Sequence, residues 1–315
     1  MNPDESRNGS RSSRFAAPYL QALALFAAYA LGYPWLASWC SLHLPARPGS
    51  WLFLEATTLG GVVLLVVAFG RGAFTACGAQ AGRPRGDGML VALQALFLLG
   101  VLALALRVVD PAYDDREFSL RSLETPAALL EFLAVLPFGV AAEELIFRSC
   151  QKRLRLILRP APAIVAVALG FAAFHWVPWT PLDGHQVETL LGTFAGGLLL
   201  AWAYERTASV RLLIAIHLVY DGLAVGQTWM HVGRARAAEA ALFIVWLAAT
   251  GGLAAARSGL WRGGSILTGV APAGEPVPDR PPEPATQRVA GWMAAAVFGC
   301  GGPLLLAWIR IRLGF

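Results

Sequence analysis

The chain has 315 residues, of which 57% are hydrophobic and only 14% charged, with a formal net charge of +5. A soluble domain carries roughly 25% charged and 45–50% apolar residues, and no soluble core of this size could receive the long uncharged runs found here. A disulfide-stapled secreted domain, a disordered chain and a nucleic-acid-binding protein are excluded. The expected fold class is all-α, a polytopic integral membrane helical bundle of about 8–9 transmembrane helices.

In chain order, a polar segment (1–14) with Arg7, Arg11 and Arg14 precedes an uncharged run from Phe15 to Ala46. The length of that run, with Tyr19, Tyr29, Tyr33, Trp35 and Trp39 in it, reads as a retained helix rather than a cleaved leader. Further apolar runs follow at Trp51–Phe69, Met89–Leu106, Pro126–Phe147, Pro160–Leu182, Thr189–Tyr204, Leu212–Met230, Ala240–Ala256 and Val289–Ile309. Each is near the ~20 residues that cross a bilayer core. The Thr189–Tyr204 run is short, which leaves eight or nine spans.

Alternate loops hold Arg71, Arg83 and Arg85, then Arg148, Lys152, Arg153, Arg155 and Arg159, then Arg206 and Arg211. These loops are expected on the cytoplasmic side, with the N-terminus. The loop from Asp110 to Glu124 is acidic and belongs outside. Residues 257–288 read as a Gly/Pro-rich linker and 289–315 as a C-terminal span. No internal repeat is visible. Cys40, Cys77, Cys150 and Cys300 stand far apart, as small packing residues do.

Ionisable residues inside apolar runs are expensive, at least ~2.5–3.5 kcal/mol at a helix centre. They are therefore the functional candidates. Glu143, Glu144 and Arg148 close the fourth run, His175 lies in the fifth, and His217 and Asp221 lie in the seventh. Glu144 and Arg148 are i,i+4 and share a helix face, as do Phe171 with His175 and His217 with Asp221. Glu143 is rotated about 100° from Glu144, so one glutamate can be held by arginine while the other faces a cavity. Water is expected to reach them from the basic side, next to Arg148. A carboxylate and an imidazole there can share the proton of a water molecule, and a second polar pair can stabilise an oxyanion. Such a set suffices for peptide hydrolysis without a covalent intermediate. Glu55 and Glu131 match no pattern. His43, His185 and His231 fall in expected loops.

Glu143-Glu144-Leu145-Ile146-Phe147-Arg148 fits EExxxR, Phe171 to His175 fits FxxxH, and His217 to Asp221 fits HxxxN/D. In this order and setting the chain resembles the CPBP family, also called ABI or CAAX-protease-like, over about residues 125–230. The Gly196–Thr207 stretch is similar to the family's segment before the third motif. The resemblance implies an intramembrane glutamic endopeptidase with a protease-like core over 89–256, preceded by membrane spans over 15–88. By carry-over, Glu143 is the general base, assisted by His175, and His217 with Asp221 forms the oxyanion site. Glu144, Arg148 and Phe171 are structural or substrate-orienting. Where the eukaryotic type has Asn, this chain has Asp221. An ionised Asp cannot donate to an oxyanion, so it is either protonated or orients His217. The resemblance calls for no cofactor and no metal. Its partners are a membrane-anchored protein substrate and the lipid bilayer. All basic residues but Lys152 are arginine, which fits a GC-rich bacterial source and an inner-membrane location. Bacterial members of this kind serve in bacteriocin self-immunity or cut C-terminal sorting anchors.

Rival readings stay open on the residues alone. Glu144–Arg148 can be a packing ion pair. Glu143, His175 and His217 are chemically suited to zinc. A non-catalytic immunity-type binding protein or a proton-coupled transporter would also place Glu and His in the membrane. Metalloprotease HExxH and rhomboid-type GxSG are both absent.

Overall fold

A computed structural model describes residues 87–109, 126–175, 184–232 and 236–258, together with Leu20 and Ala24. The described residues are helical, in six elements. These are α1 (Gly88–Val109), α2 (Pro126–Leu154), α3 (Pro160–Phe174), α4 (Gly184–Thr207), α5 (Val210–Val232) and α6 (Arg236–Ser258). Four of them contain stretches long and apolar enough to cross a membrane, as an integral membrane protein requires: Gly88–Val108, Val187–Thr207, Val210–Gln227 and Ala237–Ser258. The polar tail, the runs at 15–46, 51–69 and 289–309, and the linker beyond Ser258 lie outside the described residues, Leu20 and Ala24 apart. So do His43, Glu55, Cys40, Cys77 and Cys300.

α1 and α6 pack antiparallel. Asp87 caps α1 by accepting from the Leu90 amide (3.1 Å), and its carboxylate also pairs with Arg257 at 2.7 Å. At the far end Arg107 pairs with Glu239, with its guanidinium over the Phe243 ring. The twenty residues from Asp87 to Arg107, at ~1.5 Å each, span ~30 Å, the thickness of a bilayer's hydrocarbon. Between these charged ends the two helices mesh through glycine. Phe97 presses on Gly251, and Leu247 and Trp246 press on Gly100.

α2 opens on Pro126, where a missing amide costs nothing. Pro137 removes one helical hydrogen bond six residues before Glu143. α2 packs on α5 and α3. α3 is an alanine-rich helix of 15 residues, started by Pro160. Its small side chains let α4 come close: a Cβ on Gly197 would lie 3.2 Å from the Ala168 backbone and from Phe171. The turn from α4 to α5 is tight. Ala208 takes φ 50°, and its amide donates to the Tyr204 carbonyl at 2.7 Å. Ser209 caps α5 through the Leu212 amide.

Two expected boundaries shift. The fifth apolar run extends to Leu182, but α3 ends at Phe174, and Pro178 and Pro181 just beyond disfavour continued helix. The short sixth run becomes a 24-residue helix, because polar turns at 184–188 and 205–207 are helical too. For the same reason His185 and His231, expected in loops, lie on α4 and α5. Glu131 lies on α2, and Cys150 is buried.

Candidate active site

The centre of the bundle is polar. On α2, Arg148 pairs with Glu144 (Nε to Oε2, 3.0 Å), with neither side chain exposed. Removing two charges from water costs several kcal/mol per ion unless other partners complete them. Those partners are present for Arg148 Nη1 and Glu144 Oε1, while Arg148 Nη2 is buried with no hydrogen-bond partner among the described residues. Arg148 Nη1 donates to Gln151 Oε1 at 2.7 Å, and the guanidinium lies over the Tyr204 ring. The other oxygen of Glu144 faces His217 Nδ1 on α5, at 2.9 Å. A carboxylate paired with arginine is an acceptor, so Nδ1 carries the proton. That leaves Nε2 directed at Asp221, one turn on, 3.4 Å from Oδ2.

Glu143 is the neighbour of Glu144 but looks elsewhere. It is partly exposed and within electrostatic reach of His217, Asp221 and Glu144. His175 is the residue that ends α3. Its amide bonds back to the Ala172 and Ala173 carbonyls, and its ring Nδ1 lies 2.8 Å from the Phe171 carbonyl. A carbonyl only accepts, so Nδ1 holds the proton and Nε2 is the acceptor of the ring. Phe171 stands between the two imidazoles, with ring centres 4.5 Å from His175 and 6.0 Å from His217. Phe147 and Phe174 wrap the same group edge-on.

The three polar segments, spread over more than seventy residues of sequence, thus meet in one place. By helical rise, measured from the α2–α3 turn, Glu144, Phe171 and Asp221 lie about 15 Å inside the bundle and His217 about 10 Å. His175 is at a helix end rather than within a span. Arg148 is not the water path that its charge suggested. Its side chain is fully enclosed, whereas Glu143, His175 and Asp221 keep partial exposure among the described residues. Among the described residues no group of three His, Cys, Asp or Glu is placed to hold a metal ion.

Three participants were not singled out from the sequence as parts of the site. Gln151 is buried beside Arg148 and donates to the Ala201 carbonyl on α4. Glu205, at the end of α4, pairs with Arg155 at 2.8 Å. A signal existed, since Glu144, Arg148, Gln151 and Arg155 recur at steps of four, three and four, a polar stripe along α2 that continues one residue past its end.

These helices and this centre define a class: an integral membrane bundle with a Glu/Arg/His/Asp cluster inside it. Residues 125–223 match the family described as type II CAAX prenyl endopeptidase Rce1-like. That stretch holds all three motifs. Comparison with curated proteins and with solved structures returned no match.

Proposed function

We propose that the protein is an intramembrane endopeptidase of the glutamic type. The observation that carries this is the convergence on Phe171. One aromatic ring lies against both histidines, and the EExxxR segment joins them through Phe147 on that same ring and Glu144 on His217. The family match over 125–223 supports it.

In the proposed reaction, water lies between Glu143 and His175 Nε2. Glu143 takes its proton as the water oxygen bonds to the scissile carbonyl carbon. The negative charge on the carbonyl oxygen is met by His217, whose Nε2 sits at 3.4 Å from Asp221. For Nε2 to donate as well as Nδ1, His217 acts as the imidazolium, held between the Glu144 and Asp221 carboxylates. The 3.4 Å separation exceeds an ordinary N–H···O bond, which leaves the Nε2–H available to the oxyanion. The proton then passes from Glu143 to the departing amine and the C–N bond breaks. Glu144 and Arg148 hold His217 and do not touch the substrate. The substrate class is a membrane-anchored protein, cut beside its anchor, in the bacterial inner membrane with the Arg155 end cytoplasmic.

The test is a paired substitution. Glu143→Gln and His175→Ala are each expressed in the native host, with membrane insertion verified. Proteomics then follows membrane-anchored proteins for a change in mass. Both variants should insert normally and accumulate the same uncut protein, with rates down about 10²–10⁴-fold. Full biological activity in both would overturn the reading in favour of a binding or transport role.

A further inference from the structure

Gln151 belongs to none of the three motifs, yet it hydrogen-bonds both the Arg148 guanidinium and α4, beside the contact of that guanidinium with the Tyr204 ring. Its Oε1 accepts from Arg148 Nη1 (2.7 Å), and its Nε2 donates to the Ala201 carbonyl (2.9 Å) and points at Glu205 Oε2 (3.5 Å). Glu205 Oε1 accepts from Arg155 Nε (2.8 Å), and Arg155 Nη1 donates to the Leu158 carbonyl (2.6 Å). A continuous polar line therefore runs Asp221–His217–Glu144–Arg148–Gln151–Glu205–Arg155, from the site to the partly exposed end of α4.

An amide performs both tasks at position 151 with one fixed orientation. A carboxylate would accept from Arg148 but set lone pairs against the Ala201 carbonyl and Glu205. An apolar side chain would do neither and would strand Arg148 Nη1 in a place without water. A guanidinium deprived of that acceptor is free to rotate away from Glu144. Glu144 then loses the contact that fixes its other oxygen against His217.

We propose that Gln151, braced by Ala201 and by the Glu205–Arg155 pair, is a positioning residue that sets the orientation of His217. Its purpose rests on the endopeptidase reading, but its geometry is tested without any substrate. The full-length protein, reconstituted in lipid nanodiscs, is treated with diethyl pyrocarbonate. Mass spectrometry follows carbethoxylation of His217 and His175 separately.

In Gln151→Leu the His217 rate should rise about fivefold, the scale of one net hydrogen bond, while His175 stays at the wild-type rate. Gln151→Glu, which still accepts from Arg148, should fall between. An unchanged His217 overturns the proposal, as does a parallel rise in both histidines, which marks general loosening. If Gln151→Leu fails to insert, Glu205→Gln in the Gln151 background takes its place, with a smaller selective rise expected and no rise counting against. A wild-type protein that cuts nothing defeats the endopeptidase reading and leaves the His217 result to decide the positioning role by itself.

Discussion

The α1–α6 pair and the α2–α5 centre solve the same problem in opposite ways. Both must place charge in a helix bundle surrounded by apolar surface. In α1–α6 the charges sit at the two ends, Asp87 with Arg257 and Arg107 with Glu239, and the length between is apolar. End positions are inexpensive because long side chains reach the interface. In the centre, Glu144, Arg148 and His217 lie at depth and are enclosed, and each is tied to the next. Charge at the ends fastens helices. Charge at depth is retained at a cost, and the proposed chemistry at Glu143, His175 and His217 is the return on it.

The contrast can be tested by breaking each kind of pair. The largest effect is expected for Arg148→Met. It leaves Glu144 buried and unpaired, which costs about 3–5 kcal/mol; thermal unfolding in detergent should show a fall of many degrees or no folded protein. Next is Gly197→Val, which forces α3 away from α4 at a cost of about 1–3 kcal/mol. Because Phe171 lies against that contact, activity should fall further than thermal stability does, a split that paired assays would reveal.

The smallest effect belongs to the exposed pair. Burial pushes the Asp87 carboxyl up, but hydrogen bonds from Arg257 and Leu90 outweigh it and hold it below the ordinary carboxylate value of 3.8. A depressed carboxylate stabilises the fold above its unfolded pKa and loses that contribution as pH falls through the folded one. With a third to a half of each side chain exposed, Asp87→Asn should cost under ~1 kcal/mol, and less in high salt. A melting point that is flat from neutral to about pH 5 and then declines in wild type, with a weaker decline in Asp87→Asn, is the expected record. An Asp87→Asn loss as large as that of Arg148→Met would erase the contrast.

Much of the site was legible because helical spacing is reliable. Glu144 with Arg148, Phe171 with His175, and His217 with Asp221 each lie one turn apart, and the structure has each pair in contact. The rest required tertiary information. Nothing in local spacing says that α2 lies against α4, so the Gln151–Ala201 bond, fifty residues apart, was invisible. Helix limits differ from the apolar runs because apolar character and helix are separate properties. The run to Leu182 stays apolar across Pro178 and Pro181, residues that disfavour helix, and the first turns of α4 are polar yet helical. The expected water path failed for a similar reason. A guanidinium near a basic loop looks solvated in sequence, but this one is enclosed with Glu144, Gln151 and the Tyr204 ring against it.

The brevity of α3 has a consequence for how water reaches a peptide bond in lipid. Fifteen residues make a rod of ~22 Å, some ~8 Å short of a hydrocarbon layer of ~30 Å. A helix that stops at this depth leaves carbonyl groups that hydrocarbon cannot satisfy, and such ends persist only inside protein or beside a wet recess. Here the terminating residue does the satisfying: the His175 amide and ring between them occupy the carbonyls of Phe171, Ala172 and Ala173. The imidazole proposed to activate water is thus also the cap of a helix about three quarters as long as the hydrocarbon layer is thick. On the proposed reading, one side chain therefore serves twice, capping the end of α3 and facing the water that the reaction consumes.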